Sequence, residues 1–164
     1  MAELQIPLDI ESLTIIYQEI YKKGNVITTV ENKKTKSTCH KCGKPATKRY
    51  GYAPPIQVRH LPLFDRPVYL QIKPVRYQCE HCGTVTTEQY DWCERKAKTT
   101  KGLDDYLARR MINSTAVDVA RKERIGYKTV MAAIHRQVNR EVDWSKHHDL
   151  HTIGIDEISD KKGH

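Results

Sequence analysis

Four of the five cysteines in this 164-residue chain stand in two closely spaced pairs. Cys39 and Cys42 form one pair, Cys79 and Cys82 form the other, and a glycine follows each pair. Two residues between thiolates let one tight turn direct both sulfurs at a single ion. The glycine permits a positive φ and leaves backbone N–H groups free to donate to the thiolates. The pattern predicts a tetrahedral four-thiolate site that suits zinc first and iron second.

The alternatives to a metal site are disulfides or four unrelated buried thiols. The Cys-x-x-Cys spacing, the paired glycines and the lack of a secretory signal favour structural zinc, with a rubredoxin-like iron site as the second choice. Cys93 lies outside both pairs and is expected to be a free thiol or a packing residue.

Basic residues on either side of the cysteine segment indicate a polyanionic partner. Residues 95–140 hold 12 Lys or Arg against 4 Asp or Glu, and residues 33–49 hold 7 Lys or Arg and no acid. The net charge is +8 and the pI is about 9.2. A solvated charged face would explain either zone alone, but two zones flanking a metal ribbon favour nucleic acid.

Apolar spacing within residues 95–140 predicts a helix-turn-helix. A helix over 102–112 precedes a second over 116–123, which Thr115 can cap, and a turn leads into a third over 127–140. The side chains expected to face the helical core are Leu103, Tyr106, Leu107, Met111, Ile112, Val117, Ala120, Ile125, Val130, Ile134 and Val138. The alternative is an ordinary three-helix bundle with a charged surface.

The third helix is the expected DNA reader. In a helix-turn-helix the N-terminal residues of this helix meet base edges in the major groove, while nearby basic side chains neutralise phosphates. The expected DNA-binding residues are Arg121, Lys122, Arg124, Tyr127, Lys128, Thr129, Met131, His135 and Arg136.

Short strands are expected to position the cysteines. Alternating apolar residues over 56–63 and 68–75, punctuated by prolines, indicate the strands of a zinc ribbon, and residues 84–89 supply a closing strand. Residues 13–30 predict a β-hairpin, with a helix over 9–22 as the competing interpretation. The predicted fold class is α+β, with a hairpin and four-cysteine ribbon over 1–94 and a helix-turn-helix over 95–141.

Several stretches of the chain carry a family resemblance in this order. They are residues 39–43, 59–63 and 76–83, the pairs 119–120 and 129–130, and residues 153–157 with 162–164. These pieces resemble the bacterial insertion-sequence transposases of the ISL-three family. Members have a zinc ribbon, a helix-turn-helix and an RNase-H-like catalytic domain with a DDE triad. One departure is in the turn, where Arg124 replaces the usual glycine and Gly126 the usual polar N-cap.

The resemblance implies that residues 142–164 are a linker and the truncated first strand of the DDE domain, with Asp156 as the first carboxylate of an incomplete triad. Mg²⁺ would bind only in a complete catalytic domain, so this chain alone is not expected to cut DNA. The implied partner is double-stranded DNA at transposon ends, together with a second copy or full-length transposase. No membrane partner is expected, and the expected location is the bacterial cytoplasm, associated with the nucleoid. The alternatives are a truncated regulator or decoy of transposition and a zinc-ribbon module for RNA or protein.

Overall fold

The computed structural model describes residues 8–21, 24–138, 144–146, 149 and 152. Within these residues the chain combines three small β-sheets with three helices, which confirms the mixed α and β class. The elements are β1 (Leu13–Ile20), β2 (Val26–Asn32), β3 (Ser37–Thr38), β4 (Pro45–Ala46), β5 (Lys48–Tyr52), β6 (Ile56–Leu63), β7 (Arg66–Ile72), β8 (Val75–Gln78), β9 (Val85–Thr87), α1 (Lys101–Arg110), α2 (Ala116–Lys122), α3 (Tyr127–Gln137) and a 3₁₀ turn at Trp144–Lys146. No helix in this part of the chain has the length and apolar character needed to cross a membrane.

β1 and β2 form the predicted β-hairpin, and the competing helix over 9–22 is wrong. Val26, Thr28 and Val30 are buried in alternation along β2, which is the two-residue period of a strand that covers a core with one face. β2 also pairs in parallel with β7, so the hairpin belongs to a four-stranded sheet of order β1-β2-β7-β6.

The segment between the cysteine pairs is divided between two larger sheets. β6 and β7 form an antiparallel hairpin that completes the four-stranded sheet, with Leu70 and Ile72 in its core. β5, β8 and β9 form a separate three-stranded sheet beside the cysteines, and β9 is the expected closing strand. The predicted strands are therefore present, and they are shared between the four-stranded sheet and the sheet beside the cysteines.

The three helices enclose a core of their own. Its buried members are Leu103, Leu107, Val119, Ala120, Val130 and Ala133. The side chain of Thr115 accepts a hydrogen bond from the backbone N–H of Asp118, so Thr115 caps α2 as predicted. α1 and α2 begin as expected within one residue, whereas α3 ends at Gln137 rather than at residue 140.

Three residues expected in the helical core are exposed instead. Val117 is 53% exposed because it precedes the buried Val119 by two residues, which turns its side chain about 200° round the helix. Ile112 is 73% exposed because α1 already ends at Arg110. Val138 is 57% exposed because its extended backbone lies beyond the end of α3.

A Schellman motif closes α2 and makes the turn into α3. The backbone N–H of Ile125 donates to the carbonyl of Ala120 at 3.0 Å, and the N–H of Arg124 donates to the carbonyl of Arg121 at 3.3 Å. Arg124 holds the left-handed position of the motif, with φ of 53°. Glycine is the usual residue there because a Cβ strains this conformation. Ile125 is half-buried against the helical core, as predicted.

Candidate metal centre and nucleic-acid interface

The two cysteine turns have the same backbone geometry. In the first, the N–H of Gly43 donates to the carbonyl of Cys39 at 2.9 Å; in the second, the N–H of Gly83 donates to the carbonyl of Cys79 at 2.8 Å. Both glycines adopt left-handed conformations, with φ of 71° and 70°. Each turn therefore needs its glycine, as the spacing indicated.

The four sulfurs of Cys39, Cys42, Cys79 and Cys82 form a compact cluster within 4.8 Å of one another. The Sγ atoms of Cys39 and Cys82 lie 3.6 Å apart, as do those of Cys42 and Cys79. A tetrahedral ion with Zn–S bonds of about 2.3 Å separates its sulfurs by roughly 3.8 Å, whereas a disulfide needs about 2.05 Å. All four thiols are free, so the cluster fits a metal ion and not two disulfides.

The thiols differ in how readily they ionise. The side chain and backbone of Thr84 donate to Cys82 and lower its pKa to about 6. The backbone N–H of Lys44 lowers the pKa of Cys42, but burial and the neighbouring thiols outweigh it and raise that pKa to about 11. A bound cation favours thiolate at every position, so metal binding here must release protons.

Most of the predicted DNA-binding residues lie on one exposed end of the helix-turn-helix. Arg121, Lys122 and Arg124 are exposed at the end of α2 and in the turn. At the start of α3, Tyr127 and Lys128 are exposed, and Thr129 is half-buried. Further along α3, Met131 is half-buried and His135 is exposed.

Arg136 is engaged within the protein. Its Nε donates to Oδ2 of Asp104 at 2.7 Å, and its Nη2 donates to Oδ1 of Asp104 at 2.9 Å and to Thr99 Oγ1 at 2.6 Å. The carboxylate is 2% exposed and the arginine side chain 26%. The hydrogen bond to Asp104 raises the pKa of Arg136, so the guanidinium stays charged. This two-pronged ion pair fixes α3 against the start of α1.

Sequence reasoning missed the hydrogen bonds that join β6 to the start of α1 and the end of α2. Arg59 is buried, and its Nη2 donates to the carbonyl of Glu123 at the end of α2, at 3.2 Å. Its own backbone carbonyl accepts from the N–H of Thr100, the N-cap of α1, at 2.9 Å. The side chain of His60 also meets Thr100, with 3.0 Å between Nδ1 and Oγ1, and burial lowers the pKa of His60. The Arg-His pair inside an otherwise apolar strand was the available signal, because such residues are rarely buried without partners.

Two family models match the chain in the same order as the two sites. Residues 35–82 match the zinc-finger of transposase IS204/IS1001/IS1096/IS1165, and residues 88–138 match the helix-turn-helix domain of transposase family ISL3. The two matches therefore identify the zinc-ribbon and helix-turn-helix region of a transposase, and the four-cysteine cluster supports a structural zinc ion.

The chain is 33% identical over 111 residues to the transposase for insertion sequence element IS1001 of Bordetella parapertussis. The alignment covers 66% of this chain and 27% of that protein, so the chain spans about a quarter of the relative's length. No solved structure matches the chain. The chain carries the zinc ribbon and helix-turn-helix of an ISL3 (ISL-three) transposase, which confirms the predicted family.

Asp156, the expected first carboxylate of the DDE triad, lies outside the described residues. The same holds for all of the stretch 153–164, so the predicted RNase-H-like strand stays a prediction.

Proposed function

We propose that this region recognises the terminal inverted repeats of its insertion sequence, with α3 reading bases in the major groove of duplex DNA. The zinc ribbon gives the region a rigid framework. Cys39, Cys42, Cys79 and Cys82 hold one structural zinc ion, which takes no part in chemistry because four protein thiolates fill its tetrahedron.

The observation that carries the proposal is the contrast between the start of α3 and the starts of α1 and α2. α1 and α2 each have a threonine side chain as N-cap and an aspartate in the first turn, Asp104 and Asp118. The N-cap of α3 is Gly126, which supplies no side-chain cap, and the first turn of α3 has no acidic residue. Its uncapped N–H groups and the positive end of its dipole therefore favour a phosphate or an electron-rich base edge.

The side chains around this end divide into two roles. Tyr127, Lys128 and Thr129 reach base edges, with Met131 one turn further along the same helix. The three exposed cations of α2 and the turn neutralise phosphates and set the register of the helix on the duplex. His135 contacts the flank of the groove. Arg136 does not contact DNA in this arrangement, because Asp104 and Thr99 bind its guanidinium. Its role is to fix α3 against the start of α1.

Asp156 has its role only in a protein that also supplies the other two carboxylates. DDE chemistry uses two divalent ions, Mg²⁺ by expectation, held by three carboxylates to activate water and stabilise the leaving oxygen. Asp156→Ala in the present chain should therefore leave duplex affinity unchanged within a factor of about two.

The experiment is selection of duplexes from a random library, followed by titration of the selected duplex at several salt concentrations. Lys128→Ala should weaken binding and flatten the plot of log affinity against log salt by about one unit. Arg66→Ala removes the same charge from the exposed turn between β6 and β7, outside both basic zones, and serves as the matched control. Equal affinity and salt dependence for Lys128→Ala and the unmodified chain would show that α3 does not contact the DNA.

A further inference from the structure

The outer strand of the three-stranded sheet carries an exposed aromatic and basic surface that the helix-turn-helix does not use. Every residue of β5 is exposed, including Tyr50 at 56% and Tyr52 at 51%. β5 lies at the edge of its sheet, and a bulge between Arg49 and Gly51 leaves Tyr50 without a partner across the ladder.

Three cations surround these two rings. The guanidinium carbon of Arg76 lies 5.5 Å from the centre of the Tyr50 ring. The Tyr52 ring has Lys73 Nζ at 4.8 Å and the guanidinium carbon of Arg49 at 5.7 Å. These three cation–π contacts all lie along the edge strand β5 and its neighbour β8 or the loop before it.

The strands that carry the cluster hold charges of one sign, and the acidic residue that follows β9 in the same sheet, Glu88, is buried. The sequence has no Asp or Glu from residue 32 to residue 64, nor from residue 66 to residue 79. The strands β5, β7 and β8 therefore contain no acidic side chain, while Lys48 adds a further exposed cation to β5. Half-exposed rings beside uncompensated cations match a ligand that combines flat aromatic groups with negative charge.

We propose that this surface, formed by Arg49, Tyr50, Tyr52, Lys73 and Arg76, binds unpaired nucleotides of single-stranded DNA. Tyr50 and Tyr52 stack bases, and the three cations neutralise the phosphates between them. The register decides against a duplex. Tyr52 lies opposite Val75, whereas Tyr50 lies in the bulge beside Arg76, so the two rings are directed toward different faces of the edge strand. Two bases can meet both rings only when they are splayed apart along this edge, which a single strand permits.

DNA is the favoured polymer because the same chain carries a helix-turn-helix. None of its residues belongs to α3 or to the four-cysteine cluster, so it can be tested without reference to transposon ends. A single-strand site in the same protein as a duplex-reading helix would let the protein bind a DNA end whose strands have separated.

The test is fluorescence anisotropy with the full chain and a labelled oligothymidylate of about 12 nucleotides, a length within the usual range of such sites. Tyr50→Ala and Tyr52→Ala should each weaken binding at least about fivefold, because one stacked base contributes that much or more. Tyr50→Phe and Tyr52→Phe keep the rings and should stay within about twofold. Zinc content, measured on every variant, shows that the ribbon remains intact.

Two controls separate stacking from general charge. Tyr17→Ala removes an equally exposed tyrosine, 57%, from the edge strand β1 and should change nothing. Lys128→Ala should weaken duplex binding alone, so a failure of the reading helix is distinguishable from a failure of this surface.

Three results would overturn the proposal. One is an unmodified chain that does not bind oligothymidylate. Another is an alanine variant of either tyrosine that binds as tightly as the unmodified chain. The third is tighter binding of oligouridylate or of a glutamate-rich peptide, which would assign the surface to RNA or to an acidic protein.

Discussion

The four sulfurs of the ribbon occupy two environments, since Cys39 and Cys79 are buried whereas Cys42 and Cys82 are half-buried. The buried pair lies against Ala46, Val75 and Tyr77 in a core too small to be stable without a further constraint. A metal ion supplies that constraint by joining two turns whose nearest cysteines are 37 positions apart in the chain.

Cys79→Ser should therefore release zinc and unfold the sheet β5-β8-β9. Three thiolates remain, but one corner of the tetrahedron is lost and a buried hydroxyl replaces it. Cys93→Ser is the matched control, because the Cys93 thiol lies against the carbonyls of Glu94 and Thr99 and a hydroxyl can donate there as well. Zinc content and circular dichroism are measured for both. A Cys79→Ser variant whose ribbon stays folded and zinc-bound would contradict the four-thiolate site.

Arg124 presents a conflict between stability and binding at one residue. Its left-handed φ of 53° is strained for a residue with a Cβ, while its exposed charge lies beside α3. Arg124→Gly should raise the free energy of unfolding by about 1 kcal/mol and weaken duplex binding. Asn113→Gly is the control, since asparagine tolerates its φ of 55° and gains less. Thermal melts and duplex titration test both effects. A lower melting temperature for Arg124→Gly would refute the strain.

Among the elements, α3 depends on a buried ion pair to hold its position. Asp104→Ala leaves the Arg136 guanidinium without its partner and should cost about 3 kcal/mol, the low end for a broken buried pair because Arg136 is 26% exposed. The next residue offers a control. Asp105 pairs with Arg109 at 2.7 Å, but both side chains are more than half exposed, so Asp105→Ala should cost under about 1 kcal/mol. Denaturant unfolding measures both. Equal losses of unfolding free energy for the two variants would show that the ion pair of Asp104 and Arg136 does not hold α3 in position.

Sequence patterns predicted the helices, strands and turns better than they predicted which of these elements contact one another. The hairpin, the cysteine turns, the Thr115 cap and the three helices follow from local spacing, and the structure contains all of them. The parallel pairing of β2 with β7 joins residues about 40 positions apart, and no local pattern encodes it. The same limit applies to Arg136. Helical spacing predicted an outward-facing, DNA-binding side chain. Its ion-pair partner Asp104 lies 32 residues away in the chain, so local spacing could not reveal the pair.

At the scale of the whole molecule, the described residues form three separate cores. One lies under the four-stranded sheet, one within the helices and one around the cysteines. Because Cys39 and Cys79 belong only to the third, removal of zinc with a chelator should abolish amide protection in β5, β8 and β9 and leave that of α1 and α3 largely intact. Hydrogen exchange followed by mass spectrometry resolves the segments. Simultaneous loss of protection in all three cores would show that zinc stabilises the whole region.

The specificity ratio for transposon-end DNA tests the central claim most directly. It compares dissociation constants for a duplex with the terminal inverted repeat and for a scrambled duplex of equal composition, at one salt concentration near about 150 mM. The ratio should reach about 10³ for the unmodified chain, the lower range for specific DNA-binding proteins. Thr129→Ala should lower it about tenfold, because a lost base contact costs specificity, whereas Arg66→Ala should leave it unchanged. A ratio near one for the unmodified chain would contradict sequence recognition by α3.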